Sequence, residues 1–277
     1  MTKYGVALVV ILLLSGSLSR DVRSAEAPRT QGEVLATYDV ALAGFSLGEF
    51  ELSARFQGPS YKMRGKGRFS LFLGRIHKSS GNVTSTGRLK KLGPQSASFI
   101  VSYEGGGKAE ERRIDFDGGD VSDVSIIPPK KPGRRVPVTK DQLEDVLDPL
   151  SAAFLHMQTG NSVCNDTLPV FDGRLRFDIV LAPKRVDELP TEAPKALSGS
   201  VAVCEVRFVP VSGHKPDNAV IQFLSKTDRI EAWLVRLPES DLYVPYWIGV
   251  PTVLGSASVT LTRLEMNAKE RGASSAR

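Results

Sequence analysis

Ser151 follows Asp148 by three residues, in Asp148-Pro149-Leu150-Ser151. A serine hydroxyl beside a carboxyl group is part of what nucleophilic catalysis requires. The other parts have no signature: there is no Gly-x-Ser-x-Gly elbow, and His77, His156 and His214 are scattered without triad context. Ser151 is therefore expected to cap or pack. Asp141, Glu144, Asp145 and Asp148 crowd together as a cation site would, but not in EF-hand order. Acids are in any case favoured in the first turns of a helix by its dipole. Glu49 and Glu51 share a strand face, an arrangement open to a glycosidase carboxylate pair, yet no aromatic platform adjoins them, and a solvated face is expected. Asp172 precedes Gly173 and sits beside Arg174 and Arg176. Asp-Gly is turn chemistry, with the arginines expected on the solvent face. These readings assign no catalytic, cofactor-binding or metal-ligating residue, and the expectation is a non-catalytic protein without a cofactor.

The first residues supply an address. Lys3 is followed by an unbroken apolar run from Gly5 to Leu14, then by small and polar residues up to Ala25-Glu26-Ala27. That order reads as a secretory signal over residues 1–27, leaving 28–277 as one β-rich domain. The apolar stretch is shorter than the roughly 20 residues of a spanning helix. No cysteine precedes Cys164, so the expectation is a periplasmic protein that is not a lipoprotein and has no transmembrane anchor after cleavage. Cys164 and Cys204 are the whole cysteine complement. An even pair in an exported chain reads as a disulfide, here closing a long loop worth about 4 kcal/mol in the chain-entropy model.

Two interaction candidates follow. Pro128 to Pro137 holds four prolines and the cations Lys130, Lys131, Arg134 and Arg135 with no acid. It reads as an extended basic connector within 128–140 that could meet phosphate headgroups or an acidic polymer. Tyr243, Tyr246 and Trp247, with Pro245 and Pro251, either rim a ligand mouth or pack beneath it. Net charge is +5. Aromatics do not interleave with the basic residues as base-stacking platforms would, and nucleic acid is not an expected partner.

The elements that must carry these residues are mostly strands. Phe50, Leu52, Ala54 and Phe56 alternate with Glu51, Ser53 and Arg55. The same period recurs through Ala97 to Tyr103, Leu175 to Leu181, Ala202 to Phe208 and Ala257 to Leu261, so antiparallel strands with one buried face are predicted. Turn residues between the runs suggest ten to twelve strands, and Pro183 to Gly199 reads as a second polar connector. Leu143, Val146, Leu147, Leu150, Phe154 and Met157 have helical spacing instead, over about 141–159. Pro149 interrupts them, so the segment is either a kinked helix or a short turn followed by a fresh helix capped by Asp148. The fold expected is mainly β, a large twisted antiparallel sheet or half-barrel wrapped around one central helix.

Tyr38-Asp39-Val40 with Gly44 and Gly48, Asp148 to Ala153, Val170-Phe171-Asp172-Gly173-Arg174, and Trp233 with the closing strand from Ala257 to Leu264 together resemble the bacterial envelope family known as domain of unknown function 3108. The resemblance spans about residues 34–265. It implies an exported, β-rich protein with no assigned reaction, similar in fold to lipoprotein carriers, and carries over no catalytic residue. Its expected partner is a lipid or another envelope component, bound in the concavity or, if side chains fill that space, outside it.

Overall fold

In a computed structural model, described over residues 32–72, 76–91, 93–129, 133–157 and 162–267, the chain forms one antiparallel sheet of fourteen strands. The first half is a meander of β1 (Gly32–Leu42), β2 (Phe45–Gln57), β3 (Ser60–Phe72), β4 (Ile76–Lys90), β5 (Gly93–Gly105), β6 (Lys108–Asp117) and β7 (Asp120–Ile127). The second half holds the short β8 (His156–Met157), β9 (Asp166–Phe171), β10 (Arg176–Glu188), β11 (Ser200–Ser212), β12 (Ile230–Arg236), β13 (Leu242–Thr252) and β14 (Gly255–Asn267). β14 pairs with β1, which joins the two meanders in mid-sheet and leaves β7 and β9 at the ends of the strand order. The signal segment, 1–27, lies outside the described residues. No helix among those described is long and apolar enough to cross a membrane.

Side-chain alternation converts the strand register into rows. One row crosses six strands as Val34, Ala54, Met63, Ser85, Phe99 and Ile114, all buried. The next crosses β2 to β5 as Phe56, Tyr61, Gly87 and Ser96. These rows belong to a large apolar cluster that also takes in Tyr38, Leu150, Phe154, Tyr246 and Leu261. A second cluster, with Leu147, Leu168, Val170, Leu181, Val206 and Leu234, surrounds the Cys164–Cys204 disulfide.

Of the two forms expected over 141–159, the structure shows the second, a short turn followed by a fresh helix at Pro149, and corrects its length. The described part holds a 3-10 turn at Asp141–Leu143 and a helix, α1 (Pro149–Phe154), of six residues. Pro149 has no N–H to donate and blocks helix from entering from upstream, and the residues between the two pieces are not helical: Glu144 is extended and Asp145 has a φ of +48°. There Leu147 makes a parallel bridge to Val170, and the Val146 N–H reaches the Gly119 carbonyl at 3.1 Å. α1 ends at Leu155, which is already extended. The helical spacing of the apolar residues reflects burial on more than one side: Val146 belongs to the first cluster and Leu147 to the second. One short helix cannot serve as a central rod, and the sheet is not wrapped around one. The connector expected from Pro183 is also corrected in part, because β10 runs to Glu188 with its register shift between Pro183 and Arg185.

The ends of the sheet are tied by side chains rather than by a strand ladder. Glu110, on β6, is buried and meets Arg112 Nε at 2.8 Å and Arg174 Nη2 at 2.9 Å. Arg112 Nη1 also donates to Asp172 Oδ2 at 3.0 Å and to the Asp172 carbonyl at 3.1 Å. Burial works against the Arg112 charge, but the Glu110 and Asp172 carboxylates outweigh it and hold its pKa above the ordinary value. Asp172 completes the turn after β9 by accepting the Arg174 and Leu175 N–H groups at 2.8 and 2.7 Å.

Candidate functional site

Asp148, the residue before α1, is completely buried, and its carboxyl group accepts five hydrogen bonds. Its Oδ1 takes the Leu150 and Ser151 N–H groups, both at 3.0 Å, which is the N-cap predicted from sequence. Its Oδ2 takes three hydroxyls: Ser85 at 2.8 Å, Ser96 at 2.6 Å and Ser151 at 2.6 Å. Ser96 in turn accepts the Asp148 N–H at 3.0 Å. Tyr61 donates to Ser151 Oγ at 2.7 Å, because the Ser151 proton is already committed to Asp148. Burial, followed by the nearby Asp148 charge, raises the Tyr61 pKa far above its usual value, so the phenol keeps its proton.

This cluster ties α1 to strands far away in sequence. Tyr61 comes from β3, Ser85 from β4 and Ser96 from β5. Gly87 makes room for it: a Cβ there would stand 2.3 Å from the Tyr61 hydroxyl and 2.2 Å from the Gln95 carbonyl. The arrangement puts a serine hydroxyl on a carboxyl group, but both are fully enclosed and every hydroxyl proton is committed to a neighbour. A substrate carbonyl has no route to Ser151. The group's chemistry is to hold α1 in place.

His156, on β8, is also buried. Its ring Nε2 faces the Ala153 carbonyl at 3.2 Å, and burial lowers its pKa from 6.5 to about 4. Between those values the unfolded chain takes up a proton that the folded chain refuses. Its contribution to stability is therefore complete above pH 6.5 and is lost as the pH falls towards 4. The parent is expected to be on the order of 2 kcal/mol less stable at pH 5 than at pH 7 through this group. Urea unfolding at the two pH values should show that difference shrinking in His156→Gln.

The remaining candidates are dispersed. Lys130 and Lys131 lie outside the described residues. Arg134 is exposed, while Arg135 Nη1 donates to the Gly213 carbonyl at 2.7 Å, pinning that end of the connector to the turn after β11. Tyr243, Tyr246 and Trp247 share β13 but not one environment. Tyr246 is in the first apolar cluster, Tyr243 packs against the second, and Trp247 lies against Trp233 with ring centroids 5.4 Å apart. Arg174 and Arg176, expected on a solvent face, are mostly enclosed; Arg176 Nε donates to the Gln142 carbonyl at 2.9 Å. Glu51 and Glu49 are exposed as expected, and Glu51 faces Arg68 at 3.6 Å.

One charged feature was missed. Lys62, Arg64, Lys66 and Arg68 alternate along β3 with the buried Tyr61, Met63, Gly65 and Gly67, so all four cations project from the outer face. The signal lay in plain Lys-x-Arg-x-Lys-x-Arg alternation, which is less conspicuous than the contiguous basic run at 130–135.

A mainly β, single-sheet architecture with a buried Asp148 cluster defines a class by fold and not by reaction. The chain belongs to the family described as Protein of unknown function (DUF3108), whose model matches residues 37–262. A solved structure similar to it is that of a beta-barrel-like protein of domain of unknown function DUF1849 from Brucella abortus. That structure has 10% identity and a TM-score of 0.49, and the match covers 87% of this chain and 100% of that one. No curated protein matches the chain.

Proposed function

We propose that this is a non-catalytic protein, exported to the bacterial periplasm, that works by holding an envelope component on its outer surface. The observation that carries the reading is the packed apolar cluster among the described residues. The inward rows of β1 to β6 are packed by Leu150, Phe154, Tyr246 and Leu261, and the one polar constellation among them is fully engaged with itself. The buried cysteine pair supports export, since such bonds persist in oxidising compartments.

A second reading, an apolar or amphiphilic ligand, draws on a hollow of about 800 Å³ at the end of the sheet lined by Leu47, Phe69, Ser79 and Gly105 to Gly107. That volume is within the range of small-molecule sites. Mass spectrometry of an organic extract from the purified protein separates the two. The filled-core reading expects no lipid at one per chain; a stoichiometric acyl lipid would overturn it. Non-reducing peptide mapping of cell-derived protein should recover the Cys164 and Cys204 peptides joined, and free thiols there would remove the support for export.

A further inference from the structure

We infer that the outer face of β3 and its neighbours is a binding furrow for a linear acidic polysaccharide, an inference that rests on the outer surface being the working part of the protein. Lys62, Arg64, Lys66 and Arg68 are exposed and succeed one another at every second residue, so their Cα atoms are spaced at roughly 7 Å along one line. Among the described residues no ion pair involves Lys62, Arg64 or Lys66. The outer positions beside them on β4 are Thr86, Thr84, Asn82 and Ser80, each directly opposite one cation. Acids of this face stand directly beside the stripe on β2, where Glu51 is opposite Lys66 and Glu49 opposite Arg68, and again two or three strands away on the β4 side, as Glu104 on β5 and Glu111 and Asp115 on β6. Glu33 faces Arg55 at 3.4 Å and Glu51 faces Arg68 at 3.6 Å.

Shape narrows the partner further. A hollow of about 490 Å³ is lined by the cations Arg64, Lys66 and Arg263, the acids Glu51 and Glu265, and Asn82, and another of about 260 Å³ by Arg55, Lys62 and Arg64. The first also touches Ala36 and Leu52, whose side chains are buried in the core, so it opens on the outer face. A row of cations in successive hollows suits a chain laid along it better than the plane of a bilayer. The neutral hydroxyl and amide side chains on β4 match sugar hydroxyls, and the stripe carries no exposed aromatic ring for a nucleobase to stack on. Carboxylates or phosphates repeated along a sugar chain satisfy both halves of the furrow.

The test uses the purified protein and an oligogalacturonate as the probe, with binding followed by calorimetry at two salt concentrations. Binding is expected, and it should weaken as salt rises. The variant Lys62→Ser/Arg64→Ser/Lys66→Ser should lose about 30-fold in affinity, the sum of three exposed charge contacts of ordinary strength. Its urea midpoint should match the parent's, because the three side chains are exposed. Equal binding by parent and variant, or no binding by the parent, would overturn the furrow. So would preferential binding of phosphatidylglycerol vesicles, which would make the partner a membrane, or of single-stranded DNA. The lipid extract keeps the two readings apart. A lipid-bearing protein that still holds the oligosaccharide through β3 sinks only the filled core, whereas a lipid-free protein indifferent to the triple variant sinks only the furrow.

Discussion

Asp148→Ala is expected to lower stability by about 4 kcal/mol, the largest effect of any single substitution at the polar cluster. The substitution leaves three hydroxyls and two N–H groups without their acceptor in a site closed to water. A buried donor left unsatisfied costs about 1 kcal/mol or more. Loss of a helix N-cap alone costs about 1 kcal/mol, so most of the effect should come from the strands that the carboxyl group gathers. Asp148→Asn separates the two contributions. Its carbonyl still accepts the Leu150 and Ser151 N–H groups, but its NH2 turns donors towards the three hydroxyls, and a loss of about 2 kcal/mol is expected. Urea unfolding monitored through Trp233 and Trp247 reads both. A loss under about 1 kcal/mol for Asp148→Ala would mean that the serines re-pair locally and that the cluster is incidental to the fold.

Glu110→Ala should be comparably damaging, at about 3–5 kcal/mol, for an electrostatic reason. It removes the carboxylate shared by Arg112 and Arg174, leaving Arg112 its ion pair with Asp172 and Arg174 no ion pair among the described residues. The cost is that of enclosed charge without compensation, not the net worth of the original pairs. Replacing Glu110, Arg112 and Arg174 together by leucine or methionine should therefore recover much of the loss. If the triple variant is no more stable than Glu110→Ala, the residues act through specific hydrogen bonds, and the charge argument fails.

These two sites show what could be read from the chain and what could not. The strands were legible wherever one face is apolar, as from Phe50 to Phe56, because alternation records burial directly. The start of α1 was legible too, since Asp148 and Pro149 act through local geometry. The length of the helix was not: Val146 and Leu147 are buried against the β6–β7 turn and β9 respectively, and burial on two sides mimics helical spacing. Ser85 and Ser96 belong to the cluster only through strand register, which spacing along the chain does not encode. Glu110 and Arg174 are brought together by the approach of the sheet's two ends. Nothing near either residue in sequence announces the other. Asp172 was read correctly as a turn residue, but its neighbouring arginines were taken for solvent-facing ones.

The pairing of β1 with β14 has a consequence for the order of events during synthesis. The first strand made finds its second neighbour only after residues 255–267 exist. Until then β1 and β13 both present unpaired backbone, of the kind that recruits other chains. Each meander can pair neighbour to neighbour as it is made, but the joining of the two is postponed to the last step of elongation, and long-range closure of this sort is slow. The seam between the two meanders is thus the last part of the sheet to be covered, and in the interval β1 and β13 are the edges most open to another chain.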